Sequence, residues 1–167
     1  MKKIIIILSL LIFLTGCVST LNTPTKKVEN FLSEYQNLNP EILKKLERSV
    51  EADNLSKSQR KKYIGLLEKQ YQNLSYKIVN EVVNDDNAIV DVEIEVLNYT
   101  YSIADSKKYY ETHKDEIKDY NEYMLNNLEK VKDKIKYNIS IDLTKYDGNW
   151  ELNEIDRTII QKIHGLY

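Results

Sequence analysis

The chain has 167 residues, 42% of them hydrophobic and 30% charged, with 24 Lys and Arg against 26 Asp and Glu for a formal net charge of −2. Basic and acidic side chains interleave, as at Lys61, Lys62, Glu68 and Lys69, so no basic stripe forms and the field of a nucleic-acid binder is absent. A single cysteine excludes a fold stapled by internal disulfides. Thirteen tyrosines accompany only two phenylalanines and one tryptophan, which points to many half-buried rings that keep a hydroxyl in reach of water or a partner.

The N-terminus reads Met1-Lys2-Lys3, then an apolar run over residues 4–14, then Thr15-Gly16-Cys17. A basic start, an apolar stretch within the roughly 7–15-residue window and small residues before the cut mark a signal peptide. The run falls short of the about 18 residues that a spanning helix needs. Leu14-Thr15-Gly16-Cys17 resembles the lipobox of bacterial lipoproteins. That resemblance implies a diacylglycerol on the Cys17 thiol, cleavage between Gly16 and Cys17, and a mature chain held by lipid on the extracytoplasmic face of the cell membrane. Losing Lys2 and Lys3 with the peptide takes the formal charge from −2 to −4. Residues 17–24, rich in Ser, Thr, Asn and Pro, read as a lipidated tether, and 25–167 as one domain.

From Thr25, Val28, Phe31, Leu32, Tyr35 and Leu38 recur at helical spacing, predicting a helix that ends near Asn37. Pro40 opens a second helix through Ile42, Leu43, Leu46 and Val50, broken at Asp53-Asn54; a third runs from Ser56 through Tyr63, Leu66, Leu67 and Tyr71. The period then drops to two. Val90, Val92, Ile94 and Val96 alternate with Asp91, Glu93 and Glu95, and the turn formers 84–87 join this strand to a partner over 76–83. A third strand carries Tyr137, Ile139, Ile141 and Leu143, and Asp147-Gly148 folds it onto Trp150 and Leu152. Asp-Gly between alternating strands is a strong hairpin signal, and a two-residue turn sets Leu143 opposite Leu152 and Lys145 opposite Trp150. Between the strand pairs, Tyr110, His113, Ile117, Tyr120, Met124, Leu128, Val131 and Ile135 form one apolar stripe, predicting a long helical insertion over about 105–136. A short helix over 158–163 ends at Gly165.

This order, with the Val28/Phe31/Leu32/Tyr35 helix, the Asp147-Gly148-Asn149-Trp150 strand and the short terminal helix before Gly165, resembles the NTF2-like (cystatin-like) α+β domains of small Firmicutes-type lipoproteins, of the DUF4878 and DUF5105 kind. The resemblance implies N-terminal helices on a curved antiparallel sheet enclosing a cavity that serves either catalysis or binding. It places Phe31, Tyr35, Tyr99, Tyr101 and Trp150 as candidate pocket aromatics, with core packing as the competing reading.

Catalytic constellations are sparse. His113 and Glu116 share a helical face but are too few for a tetrahedral metal site, and His164 suits a positively charged cap on a helix C-terminus. Asp85-Asp86-Asn87 lacks the spacing of a calcium loop, and no phosphate loop, nucleophile elbow or His-Glu-x-x-His helix occurs. The sequons at Asn54, Asn73, Asn98 and Asn138 read as chance in an Asn-rich chain. The expectation is a non-enzymatic surface lipoprotein without cofactor or metal, binding a small ligand or an envelope protein; the alternatives are a structural envelope protein that self-associates into a homodimer through the 110–135 stripe and, behind it, an enzyme with a pocket site.

Overall fold

The computed structural model describes residues 22–51 and 54–167; the signal peptide, Cys17 and most of the tether lie outside the described residues, as does Asp53. Among the described residues six helices and four strands appear in the order α1 (Pro24–Gln36), α2 (Pro40–Glu51), α3 (Lys57–Gln72), β1 (Ser75–Asn84), β2 (Asn87–Leu97), α4 (Tyr99–Thr112), α5 (Tyr120–Leu128), β3 (Lys134–Tyr146), β4 (Asn149–Leu152) and α6 (Arg157–Ile163). The fold class is α+β, with an open antiparallel sheet ordered β1-β2-β3-β4.

Local chemistry sets the helix starts. Thr23 caps α1 by accepting from the Lys26 N–H at 3.2 Å, and Pro24 occupies the first turn, where its missing N–H costs nothing. Ser56 and Gln59 form a reciprocal capping box on α3. α1 ends in a Schellman arrangement, Asn39 N–H to Glu34 C=O at 2.9 Å and Leu38 N–H to Tyr35 C=O at 3.0 Å, with Leu38 held at φ 51°.

Alternation fixes which face of the sheet is covered. Ala88, Val90, Val92, Ile94 and Val96 of β2 and Ile139, Ile141 and Leu143 of β3 are buried, while the residues between them are not. α1 lies against β4, β2 and β1, and both α3 and α6 touch β2. The other face stays open and is polar along most of its length: Ser140 Oγ donates to Asp91 at 2.6 Å, and Lys136 pairs with Glu93 at 2.8 Å. Leu143 faces Leu152 and Lys145 faces Trp150 across a turn in which Asp147 and Gly148 both have positive φ, 48° and 81°.

The helical insertion differs from its sequence reading. Helical residues between the strand pairs run from Tyr99 to Leu128 in two pieces, broken between His113 and Asp119. Asp119 is an N-cap, accepting from the Glu122 N–H at 3.1 Å, and Gln59 Nε2 donates to its other oxygen at 2.8 Å, pinning α5 to the start of α3. The apolar stripe is thereby divided. Leu128 is buried, and Ile135 belongs to β3 opposite Val96, so no continuous seam for self-association survives. Asn127 donates to the buried Ser106 hydroxyl at 3.0 Å, tying α5 back onto α4.

A side chain joins α3 to the sheet as a strand would. The fully buried Gln70 donates to Leu97 C=O at 2.8 Å and accepts from Leu97 N–H at 2.9 Å. Gln70→Leu keeps the volume but orphans both backbone groups, and each buried orphan costs about 1–3 kcal/mol. Urea denaturation of this variant is expected to show a loss of about 2–4 kcal/mol; a change below about 1 kcal/mol would refute the structural weight of this contact.

Candidate functional site

Four rings from two helices, α1 and α3, and the C-terminal segment run through the helical layer, the first two contacts edge to face and the last tilted. Phe31 meets Tyr35 at a centroid distance of 5.3 Å, Tyr35 meets Tyr71 at 5.0 Å, and Tyr71 meets His164 at 5.6 Å. Tyr71 Oη and His164 Nε2 share a hydrogen bond of 2.7 Å. A cleft of about 230 Å³ opens beside them, lined by Tyr35, Ile42, Lys45, Leu46, Tyr71 and Ile160 together with Ser49 and His164. Its walls are apolar and its polar groups few, the pattern of small-ligand sites.

Burial shapes the acid–base state of these groups. Desolvation pushes the Tyr35 phenol up to about 12, and pushes Tyr71 higher still, where the neighbouring Tyr35 and Tyr63 add to it. Desolvation also holds His164 down at about 4, so its imidazole is neutral at pH 7. His164 does occupy the C-cap of α6, but the positive charge expected there is absent at neutral pH, because a cation in this pocket would lose its hydration. Tyr35 Oη has no hydrogen-bond partner among the described residues, and the exposed Lys45 has no ion pair among them. Among the described residues, an unbonded hydroxyl and an unpaired ammonium therefore border the apolar walls.

A folded-state value near 4 against the ordinary 6.5 fixes a pH dependence. The unfolded chain takes up the proton first as pH falls, so stability is complete above about 6.5 and declines toward about 4, where the folded ring protonates and the loss levels off. Thermal denaturation across this window is expected to show a loss of order 1–3 kcal/mol that His164→Gln removes. An unchanged acid limb in that variant would contradict a buried, neutral His164.

The five aromatics expected at a pocket do not assemble together. Phe31 and Tyr35 join the ring chain. Tyr99 is fully buried with its hydroxyl donating to Leu66 C=O at 3.0 Å, which makes it core. Tyr101 is 70% exposed and borders a separate groove with Asn98, Asp105 and Lys130. Trp150 is buried on β4, whose neighbours tie it to the start of α1: Lys27 pairs with Glu151 at 3.1 Å, and Asn22 accepts from Trp150 N–H at 3.4 Å. The ring contacts of Tyr35 run to Phe31 and Tyr71 rather than to Trp150. Tyr71 and His164 escaped sequence reasoning because 93 positions separate them; Tyr71 read only as one apolar position of α3.

The other candidate groups of the sequence lie outside this cleft. His113 stacks on Tyr109 at 3.9 Å and approaches Tyr109 C=O and Thr112 Oγ1 with Nδ1, and among the described residues no group of three or more His, Cys, Asp or Glu could hold a metal. Asp85-Asp86 forms the β1–β2 turn, with Asp86 C=O accepting from Lys145 N–H at 2.7 Å. A wider groove along α3, about 470 Å³, carries Lys62, already held by Glu129 at 3.4 Å, Glu122 at 3.5 Å and Asn126.

Comparison with known proteins adds the N-terminus. Among the described residues no helix is long and apolar enough to cross a membrane. No curated protein matches the chain. A crystal structure of the ycdA protein from Bacillus subtilis, described as a lipoprotein, has a TM-score of 0.44 and 13% identity, over 74% of this chain and 44% of its own, so the chain spans less than half of that structure. Residues 1–17 match the model of the prokaryotic membrane lipoprotein lipid attachment site, ending on Cys17, and by that match the chain is a lipid-anchored membrane lipoprotein.

Proposed function

We propose that this lipoprotein is an extracytoplasmic binding module without catalytic activity, cleaved between Gly16 and Cys17, whose domain is NTF2-like and takes a small amphiphile in the cleft between α1, α2, α3 and α6. The observation that carries the reading is the cleft itself: apolar walls from Tyr35, Ile42, Leu46 and Ile160, with Lys45 at the border and the Tyr35 hydroxyl unengaged among the described residues. An apolar body would displace water from the walls, and an anionic group would meet the Lys45 ammonium. A cleft of about 230 Å³ limits that body to a short chain or a single ring.

A binding role also suits the state of the two titratable groups. A phenol held protonated and an imidazole held neutral form a fixed polar contact, and the Ser49 hydroxyl lining the same cleft donates to Leu46 C=O at 2.7 Å. The helices-on-sheet order and the terminal strand pair support the NTF2-like assignment, and the polar open sheet face suits a domain standing in water.

Titration with hexanoate and benzoate, followed by NMR of the His164 ring protons, tests the reading. Saturable shifts at His164, weakened by Lys45→Glu, are the expected result. Because Lys45 is exposed, that variant folds and isolates the charge. Non-saturating shifts, or shifts indifferent to Lys45→Glu, would overturn the proposed ligand class.

A further inference from the structure

The exposed large aliphatic side chains of this domain are not scattered, although exposed tyrosines also stand at 101, 109 and 167. Among the described residues every exposed large aliphatic lies on the β1–β2 hairpin: Val79 at 59%, Val82 at 52%, Val83 at 49% and Ile89 at 43%. Residues 79–87 are exposed without interruption, so the hairpin projects past the helical layer that covers the rest of the sheet. Val82 pairs with Ile89 on the open face, and Val83 faces the other way. Tyr146, 62% exposed, stands at the neighbouring turn, and Lys145 N–H to Asp86 C=O locks the two turns side by side.

The chain leaves for its anchor from this same end. Asn22 Nδ2 donates to Gly148 C=O at 2.7 Å and to Asn149 Oδ1 at 3.3 Å, and the Thr25 N–H donates to Glu81 of β1 at 2.8 Å. Five residue steps separate Asn22 from Cys17, a reach of at most about 18 Å even when fully extended. Strand spacing of about 4.8 Å puts the β1–β2 hairpin within about 15 Å of the β3–β4 turn. A lipid on Cys17 therefore keeps this end of the sheet at the bilayer, whereas the far end of β2 lies about 33 Å away along the strand.

From these positions we infer that the β1–β2 hairpin is a membrane-docking surface, with Val82, Val83, Ile89 and Tyr146 resting in the boundary between headgroups and acyl chains of the leaflet that holds the Cys17 lipid. The inference rests on the lipid anchor. Tethering makes the contact intramolecular, so a few part-buried aliphatic side chains suffice, and tyrosine favours the interface for its apolar ring and polar tip. Asp85, Asp86 and Asp147 cap the two turns and carry the charge of anionic headgroups, with Lys145 alone opposing them there. They hold the turn tips at headgroup level and make the contact weaker on anionic lipid.

The test uses the full lipidated chain in phosphatidylcholine vesicles. Lipidation consumes the only native thiol, so Val83→Cys supplies a single site for an environment-sensitive nitrobenzoxadiazole label, and Tyr101→Cys, on α4 just past the far end of β2, supplies the comparison. Failure of the anchor reading shows separately, because the parent protein would then take up label at Cys17 and would not float with vesicles. The expected result is blue-shifted emission and lost iodide quenching at position 83, none at 101, and partial return of quenching when phosphatidylglycerol is added. A label at 83 that floats with vesicles yet is quenched as fully as at 101 would overturn the proposal. Equal protection in the unlipidated Cys17→Ser form without vesicles would overturn it too, assigning the surface to a second copy.

Discussion

Truncating Trp150 to alanine lowers the stability of the domain by about 3–5 kcal/mol. The indole is 6% exposed, on a four-residue edge strand, β4, that pairs with β3 and packs on α1. Removing it empties the space between that strand and the helix, and the loss is a large share of the roughly 5–15 kcal/mol that keeps a domain folded. Trp150→Phe keeps most of the ring volume and is expected to cost less than about half as much. Far-UV circular dichroism in urea measures both, since the variants remove the only tryptophan. Wild-type emission characteristic of a water-exposed indole, or a Trp150→Ala loss within about 1 kcal/mol, would refute the buried placement.

Gly165→Ala is expected to be comparably severe, although it adds one methyl group. Gly165 sits at φ +69°, and a Cβ there would lie 2.2 Å from Leu97 O and 2.2 Å from Gln70 Nε2, the two atoms that hydrogen-bond α3 to the sheet. Neither can retreat without breaking that bond, so overpacking and left-handed strain add to about 3–5 kcal/mol. The chain can escape by releasing the C-terminal segment, which would also free Thr100 N–H from Gly165 C=O and unseat the buried Ile163. In that event His164 becomes hydrated and the acid limb of stability disappears. Urea denaturation at pH 7 and pH 5 reads both effects; a variant as stable as wild type at both would show that Gly165 is not pressed against Leu97.

What the sequence made legible was local. Pro24, Pro40 and Ser56 announce three helix starts through φ restriction and side-chain capping, and all three helices begin there. Asp147-Gly148 sets the last hairpin in its expected register because a two-residue turn leaves no other pairing for the alternating strands. The long stripe misled because Ile117 and Tyr120 continue a helical period across a segment whose Asp119 is claimed as a cap by Gln59, sixty positions away. At its far end, Lys134, Lys136 and Asn138 alternating with Ile135, Tyr137 and Ile139 already showed a strand period, so β3 starts earlier than the helical reading allowed. The cleft was illegible for the same reason: Tyr35, Tyr71 and His164 meet only through the packing of α1, α3 and the C-terminal segment.

Lipid anchoring through Cys17 is the claim on which location, membrane docking and the extracytoplasmic role all depend. Mass spectrometry of the N-terminal peptide of the mature protein, isolated from the membrane fraction, tests it directly. Anchoring predicts a chain beginning at Cys17 and carrying a diacylglyceryl group on sulfur, lost in Cys17→Ser together with membrane retention. A mature chain that starts elsewhere and retains an unmodified Cys17 thiol would contradict it.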